Sequence, residues 1–140
     1  MTENKDTKDQ QYRMALLIFI LLHGGLILEL LLIGHYESFW QFFPFISLGF
    51  GLASLLLSFK PLQLVKFFYL LTIFAGVFGV VLHLKSNWEF ETEMYPGMPM
   101  AELISKSLTG ALPALAPGTL IPIGMMGFLL IQLKTKYNSK

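Results

Sequence analysis

Residues 14–33 read MALLIFILLHGGLILELLLI, and this stretch decides the fold. Twenty residues are the length of a helix that crosses the hydrocarbon core of a bilayer, about 30 Å thick. The stretch contains a single acidic residue, Glu29. A carboxylate near the centre of such a helix costs about 2.5–3.5 kcal/mol on insertion scales. The stretch therefore predicts a membrane helix and marks Glu29 as a residue that needs a partner or a function.

The composition of the whole chain agrees with a membrane protein. Of its 140 residues, 54% are hydrophobic and 14% are charged, whereas average soluble domains carry about 25% charged residues. A net charge of +1 provides no basic surface for nucleic acid. The absence of cysteine excludes disulfides and thiolate metal sites. We expect an all-α integral membrane protein whose main surroundings are the lipid bilayer.

Four long apolar blocks predict four transmembrane helices in one domain that covers residues 12–134. We place the spans at about residues 12–34, 39–59, 64–84 and 111–133, with an outer loop at 85–110. Successive spans then form an antiparallel up-down bundle. Polar tails, residues 1–11 and 135–140, flank this domain.

The positive charges predict the orientation of the bundle. Eight of the ten Lys and Arg residues lie beside one set of span ends, and two, Lys85 and Lys106, lie beside the other. Positive residues are enriched in cytoplasmic segments. We therefore expect both termini in the cytoplasm and a multi-pass protein of a bacterial cytoplasmic membrane.

A short amphipathic helix is predicted at residues 99–108, on the outer surface before the fourth span. Proline suits its first turn. Glu102 and Lys106 are spaced to pair at i,i+4. The apolar residues Met100, Leu103, Ile104 and Leu108 are expected to share one face.

The outer half of the fourth span contains Pro113, Pro117 and Gly118. Proline removes a backbone donor and clashes with the carbonyl four residues earlier, so this helix is predicted to be kinked or broken. Non-helical backbone at membrane depth must face protein or a wet cavity. The residues fit either a simple proline kink or a broken helix that lines a ligand or ion site.

Six residues are candidates for a ligand, ion or proton site in the outer half of the bundle. They are Glu29, His23, Tyr36, Pro113, Pro117 and Gly118. Residue counting places Glu29 and Pro117 at similar depth, and we expect Glu29 to face the bundle interior. His23 is turned about 120° from the stripe of Glu29 on an ideal helix. Three roles for His23 remain open: a hydrogen bond to a neighbouring helix, a proton relay with Glu29, or ligation of a haem.

A metal site is a further hypothesis for the outer surface. Glu89, Glu91 and Glu93 alternate with other residues, and an extended segment would place all three carboxylates on one side. Histidine and carboxylate ligands suit several divalent metals. The candidate ligands are His35, Glu37, His83, Glu89, Glu91 and Glu93. The alternative is a solvated acidic loop. His35 and His83 also lie at similar depth, as a bis-histidine haem b requires.

Small residues predict how the helices meet. Ser47, Gly51 and Ser54 lie on one stripe of the second span, and Gly76 and Gly79 lie on one stripe of the third. Such stripes let helix backbones approach closely in lipid. We expect the two stripes to face each other, either for packing alone or around a substrate groove.

These features leave three functions open. The first is a binding protein, which holds a small ligand or ion in the outer half of the bundle or docks to larger membrane partners, including copies of itself. The second is an intramembrane redox, metal or haem-dependent subunit. The third is a structural assembly factor. The short polar segments favour a non-enzymatic role, and no cofactor is firmly implied.

Overall fold

The computed structural model describes residues 3–56 and 62–138, and these are helical almost throughout, without any strand. The helices are α1 (Glu3–Leu32), α2 (Phe42–Leu56), α3 (Leu62–Met94), α4 (Met100–Thr109) and α5 (Leu120–Asn138). Two 3₁₀ turns, Phe39–Gln41 and Ala116–Thr119, precede α2 and α5. The predicted inner end of the second span, residues 57–59, lies outside the described residues.

Four helical segments of the described chain are long and apolar enough to cross a membrane. They are Asp6–Leu32, Phe39–Leu56, Leu62–Met94 and Ala116–Lys136. This confirms the prediction of an all-helical protein with four spans and marks it as an integral membrane protein. Between 17% and 33% of the apolar 18-residue stretch within each span is buried in the bundle. Most of the helix surface is therefore left for lipid or for other proteins.

The helix that organises the bundle is α3, which packs against α2, α4 and α5, whereas α1 packs against α2 and α5. The α3–α5 interface shows the relative direction of the chains. Gly79 lies against Pro117, and the earlier residue Ile73 lies against the later residue Gly124. These two helices therefore run antiparallel.

The buried apolar residues form two clusters. One surrounds Tyr69 and consists of Ala15, Phe19, Val65, Tyr69, Leu130 and Ile131. The other consists of Leu30, Leu48, Ala75, Leu120 and Ile123. We call the part of the bundle around the first cluster the Tyr69 half. The part from the second cluster to His35, His83 and residues 110–119 is the His83 half, and it corresponds to the predicted outer half.

The small-residue stripes serve several interfaces rather than one. Gly51 of α2 lies against the His23 ring of α1. Gly76 and Gly79 of α3 lie against Ile121 and Pro117, respectively. The expectation that Gly51 and Gly76 face each other is therefore wrong, because each glycine makes room for a side chain of a different neighbouring element.

The serines of the second span form hydrogen bonds within their own helix and to a neighbouring helix. The hydroxyl of Ser54 lies 2.5 Å from the hydroxyl of Tyr69 and joins α2 to α3. Ser47 is buried, and its hydroxyl donates to the carbonyl of Pro44 in its own helix at 2.9 Å. Each hydroxyl has a partner, so neither is left unsatisfied inside the bundle.

Two helices extend beyond their predicted ends. Residues 3–11, expected to be a polar tail, belong to α1. Residues 85–94, expected to begin a loop, belong to α3. The second extension is supported by an i,i+4 ion pair of Lys85 with Glu89 at 3.3 Å. No proline or glycine interrupts the sequence before Pro96. The predicted extended arrangement of Glu89 to Glu93 is therefore wrong.

The short helix α4 is present where it was predicted, and Glu102 and Lys106 pair at 3.8 Å. It packs along the extension of α3. Leu103 is buried there, whereas Ile104 is exposed. The apolar residues of α4 therefore do not all share the buried face.

The outer end of the predicted fourth span is non-helical, in keeping with the predicted proline break, and the span that the structure describes begins only at Ala116. The chain from Gly110 to Leu115 is not helical, the Ala116–Thr119 turn is 3₁₀, and α5 begins only at Leu120. Pro122 lies in the first turn of α5, where a backbone N–H has no acceptor within the helix. The break therefore follows from Pro113 and Pro117, whereas Pro122 is compatible with the helix.

Candidate functional site

His35 is positioned by the end of α1. Gly34 has a φ of 67° and terminates the helix in the left-handed conformation. The N–H of Gly34 donates to the carbonyl of Leu31 at 3.2 Å, and the N–H of His35 donates to the carbonyl of Leu30 at 2.8 Å. These two bonds form a Schellman motif, which satisfies the last carbonyls of a helix. The motif fixes His35 directly after α1.

The turn from α1 to α2 is held by Gln41. Its side-chain oxygen accepts hydrogen bonds from the N–H groups of Glu37 at 2.7 Å and Ser38 at 2.9 Å. Two backbone donors that no helix could satisfy are thereby paired. The turn that contains His35 is consequently closed by a side chain at the start of the next span.

The non-helical segment before α5 is attached to α3 by Asn87. This buried side chain donates from Nδ2 to the carbonyls of Ser107 at 2.9 Å and Leu112 at 2.8 Å. The N–H of Leu112 donates in return to Asn87 Oδ1 at 3.0 Å. No motif in the sequence marks this residue. Its spacing of four residues from His83 was the available signal, because the two share one face of α3.

His83 is attached to the same segment. Its Nδ1 lies 3.2 Å from the carbonyl oxygen of Pro113. A carbonyl only accepts, so this bond requires the proton on Nδ1 and leaves Nε2 of a neutral ring with a free lone pair. The broken fourth span thus sets the tautomer of a histidine on the third.

The two histidine rings approach each other across the bundle. The ring centroids of His35 and His83 are 6.5 Å apart, and the ring planes are inclined by 52°. Partial burial, together with the neighbouring His83, lowers the pKa of His35 below its ordinary value. A lowered pKa favours the neutral imidazole, which is the form that accepts hydrogen bonds and binds metals.

A groove of about 730 Å³ lies beside this histidine pair. Its walls are mostly aromatic and aliphatic side chains of the α1–α2 turn, α2 and α3, with prolines of the non-helical segment. They include Trp40, Phe43, Phe74, Phe78, Leu82, Pro113 and Pro117. The polar side chains of the lining are His35, His83, Gln41 and Ser86. The groove is therefore an apolar space with a few hydrogen-bonding groups.

Glu29 lies on a narrower cleft of about 90 Å³, which also has His35, His83, Pro113 and Pro117 in its lining. Depth counting placed Glu29 near these prolines, and the cleft brings them together. The expected inward orientation is wrong, because Glu29 is exposed. Within the described chain its carboxylate makes no hydrogen bond or ion pair.

The other ligand-site candidates lie apart from this cleft or only border it. Tyr36 is 47% exposed and follows the end of α1, so it does not continue the stripe of Glu29. Gly118 packs against Val80 of α3. His23 is buried, and its Nδ1 lies 2.8 Å from the carbonyl oxygen of Phe19. A helix rises about 9 Å between His23 and Glu29, so the structure does not bring these two side chains into one site.

The six residues of the metal hypothesis are not gathered into one site. Glu89 and Glu93 are exposed on α3, whereas Glu91 is turned away from them and is 8% exposed. Glu37 is exposed in the α1–α2 turn. Within the described residues no three His, Asp or Glu side chains are close enough to hold a metal ion. Of the six candidates, His35 and His83 are the pair with a ring contact.

Comparison with protein families, with curated proteins and with solved structures finds no match to this chain. The chemistry of the site therefore rests on its geometry. That geometry is an apolar groove beside two imidazoles, one of them oriented by a backbone carbonyl, in the part of the bundle where a non-helical segment precedes the fourth span. Such a site can hold an apolar molecule and engage one polar group of it.

Proposed function

We propose that this small multi-pass membrane protein binds a mostly apolar ligand in the groove and engages a polar group of that ligand with His35 and His83. The observation that carries the proposal is the placement of these two imidazoles in the lining of an apolar groove of about 730 Å³. Ligand pockets commonly measure about 300–1,000 Å³ and are lined by apolar residues with a few well-placed polar groups.

Each part of the site has a role in this proposal. The aromatic side chains of Phe74 and Phe78 provide the apolar contact surface. His83 presents a lone pair on Nε2 because Pro113 occupies its other nitrogen. Asn87 and Gln41 are positioning residues, since their hydrogen bonds fix the two segments that close the groove. No bond-making step is part of the proposal, so the protein acts as a binding protein rather than an enzyme.

Decylubiquinone is a suitable probe, because it is apolar and its carbonyls accept a hydrogen bond, which the ring N–H of His35 can donate. The chain has two tryptophans, Trp40 and Trp88, and Trp40 lines the groove. In a Trp88→Phe variant, Trp40 is the single tryptophan, and a quinone bound beside it quenches its fluorescence. We expect saturable quenching by decylubiquinone in detergent micelles. Replacing His35 by Ala should weaken binding about tenfold, or about 1.4 kcal/mol, whereas His83→Ala should weaken it less, because Nε2 of His83 has no proton to donate to a quinone carbonyl.

The matched control is the Trp40→Phe variant, which retains Trp88. Decylubiquinone that only partitions into the micelle would quench both tryptophans in proportion to its concentration. Linear quenching of Trp40 without saturation would contradict the proposal. Saturable quenching with the same affinity in the wild type, His35→Ala and His83→Ala would show that the two histidines do not contribute to binding.

We also propose that the exposed surface of α1 within the membrane docks to another membrane protein. A second copy of this chain is the first partner to test. Glu29 favours this because it is exposed at the depth of the spans and has no ion-pair partner in the described chain. An ionisable residue within a span is expected to face protein or a wet cavity. Since the protein lacks cysteine, a Leu28→Cys variant can be tested for disulfide-linked dimers in membranes. If only monomers are found, the proposed self-association is wrong.

The orientation with both termini in the cytoplasm of a bacterial cell is a further part of the proposal, supported by the distribution of Lys and Arg. Single cysteines test it directly. A membrane-impermeant maleimide added to intact spheroplasts should label Ser105→Cys in the exposed face of α4 but not Lys8→Cys. Labelling with the opposite preference would reverse the orientation.

A further inference from the structure

The separation of His35 and His83 distinguishes between two ways in which imidazoles bind a metal. With a metal–nitrogen distance of about 2.0–2.1 Å, two imidazoles on a tetrahedral ion have ring centroids about 5.2 Å apart. Two imidazoles on opposite sides of a metal have centroids about 6.4 Å apart at the same bond length. The centroids of His35 and His83 are 6.5 Å apart. The spacing matches ligation from opposite sides.

The angle between the two ring planes is compatible with that arrangement. When two imidazoles lie on one axis through a metal, each ring can turn about its metal–nitrogen bond, so an angle of 52° between the planes is allowed. His83 Nδ1 is engaged by the carbonyl of Pro113, which leaves Nε2 for a metal. Donation of the second ring nitrogen to a backbone carbonyl is a common feature of metal-binding histidines.

The space around the pair suits a flat apolar macrocycle. The groove of about 730 Å³ and the cleft of about 90 Å³ both have His35, His83, Pro113 and Pro117 in their lining. Free space therefore adjoins the histidine pair on more than one side. A bare metal ion would need neither this space nor its apolar walls. It would also need further ligands, and within the described residues no third His, Asp or Glu joins the pair.

From these observations we infer that the ligand of the groove is a haem, with His35 and His83 as its two axial ligands. This inference rests on the proposed function, because it names the class of ligand that the groove binds. The porphyrin ring lies against the aromatic walls that include Phe74 and Phe78, and its four pyrrole nitrogens supply the equatorial ligands that the protein lacks.

Titration of the purified apoprotein with hemin tests the inference. We expect saturation at one hemin per chain and the absorption spectrum of a six-coordinate low-spin haem. His35→Ala and His83→Ala should each abolish the low-spin spectrum, and free imidazole added to His83→Ala should restore it. The matched control is His23→Gln, which changes the third histidine of the chain in the Tyr69 half. That variant should retain the low-spin spectrum.

The possible outcomes separate this inference from the proposed function. If hemin gives no low-spin spectrum while decylubiquinone still quenches Trp40 with saturation, the haem inference is overturned and the binding groove stands. If neither probe binds, both are overturned. A low-spin spectrum that survives in the double variant of His35 and His83 also overturns the inference, because other residues would then be the ligands. Hemin should displace decylubiquinone if the two share the groove.

Discussion

The Tyr69 half and the His83 half of this bundle are built from the same four spans but pack differently. In the Tyr69 half, Gly127 of α5 lies directly against the Tyr69 ring. The hydroxyl of Tyr69 is paired with Ser54. In the His83 half, a 3₁₀ turn and a non-helical segment replace the helix, and a groove of about 730 Å³ remains. Contact between helices closes the core around Tyr69, with a space of about 490 Å³ between α3 and α5 near Lys66 and Gln132, whereas the other half is open beside the non-helical segment.

The difference follows from where glycine and proline lie in the fourth span. Gly124 and Gly127 remove side chains from a continuous helix, so α3 can approach the α5 backbone. Pro113 and Pro117 prevent a continuous helix, so the chain needs hydrogen-bond partners from elsewhere. His83 and Asn87 provide them. Glycine therefore closes one half of the bundle, whereas proline opens the other and recruits polar side chains to it.

The largest effect is expected from Asn87→Leu, which would remove three of the hydrogen bonds that attach the open half to α3. The variant deprives the carbonyl of Ser107 and both backbone groups of Leu112 of their partners. The bond to Ser107 is buried and the two bonds to Leu112 are part-buried, and a buried group that loses its partner costs about 1–3 kcal/mol, so we expect a loss of about 2–4 kcal/mol. Unfolding by SDS in mixed micelles measures it, and hydrogen exchange at the Leu112 amide should increase.

Thr92→Val provides the control for that variant. The hydroxyl of Thr92 is exposed and bonds only to the carbonyl of Trp88 in its own helix, so its removal should change stability by less than about 0.5 kcal/mol. If Asn87→Leu unfolds at the same SDS fraction as Thr92→Val, the segment before α5 is held by something other than Asn87.

The next effect concerns the closed half. A Cβ atom at Gly124 would lie 2.6 Å from Cγ1 of Ile73 and 2.7 Å from the carbonyl oxygen of Tyr69. Since one of these atoms belongs to the backbone, the helices must separate. We expect Gly124→Ala to destabilise the protein by about 1–3 kcal/mol in the same SDS titration.

Gly49→Ala is the matched change at an open position of α2, where nothing lies within 4 Å of the added atom. It should be neutral or gain up to about 1 kcal/mol, because Ala is the better helix former. Equal stability of the two variants would show that close approach of α3 and α5 is not what closes the Tyr69 half.

A smaller effect is expected from narrowing the groove. Leu82 lines it and is 36% exposed, so a larger side chain fits there without disturbing the buried clusters. Leu82→Tyr should weaken decylubiquinone binding about tenfold, or about 1.4 kcal/mol, while stability stays within about 0.5 kcal/mol. Leu70→Tyr, at a 58% exposed position of the same helix, should leave binding unchanged. Similar affinities for both variants would place the ligand elsewhere.

Much of the fold was predictable because the spans are long and uniformly apolar. The break in the fourth span was also predictable, since proline acts on the local backbone. The extension of α3 was not. An acidic residue at every second position fits a strand in isolation, whereas the helix is fixed by contacts of Asn87 and Leu103 that link distant parts of the chain.

The candidate site was predicted in part. The similar depth of His35 and His83 followed from residue counting, and the structure brings their rings together. The partners of the freed carbonyls were not found, because Asn87 lies beyond the predicted end of the third span. The direction of Glu29 was wrong since residues 14–33 are apolar on every side, so no pattern of polar residues shows which face is turned inward.

The smallest effect on stability and binding is expected from replacing Glu29, which borders the open half without bonding to it. Replacing a residue that fixed the non-helical segment would cost several kcal/mol of stability, as we expect for Asn87. Glu29 is exposed and makes no ion pair or hydrogen bond in the described chain, so Glu29→Gln and Glu29→Leu should each change stability by less than about 0.5 kcal/mol. Because Glu29 borders the cleft rather than the larger groove, decylubiquinone binding should also change less than threefold, or about 0.7 kcal/mol. If Glu29→Leu fails to fold while Glu29→Gln folds normally, Glu29 has a structural hydrogen-bonding role, and the open half depends on it as well as on Asn87.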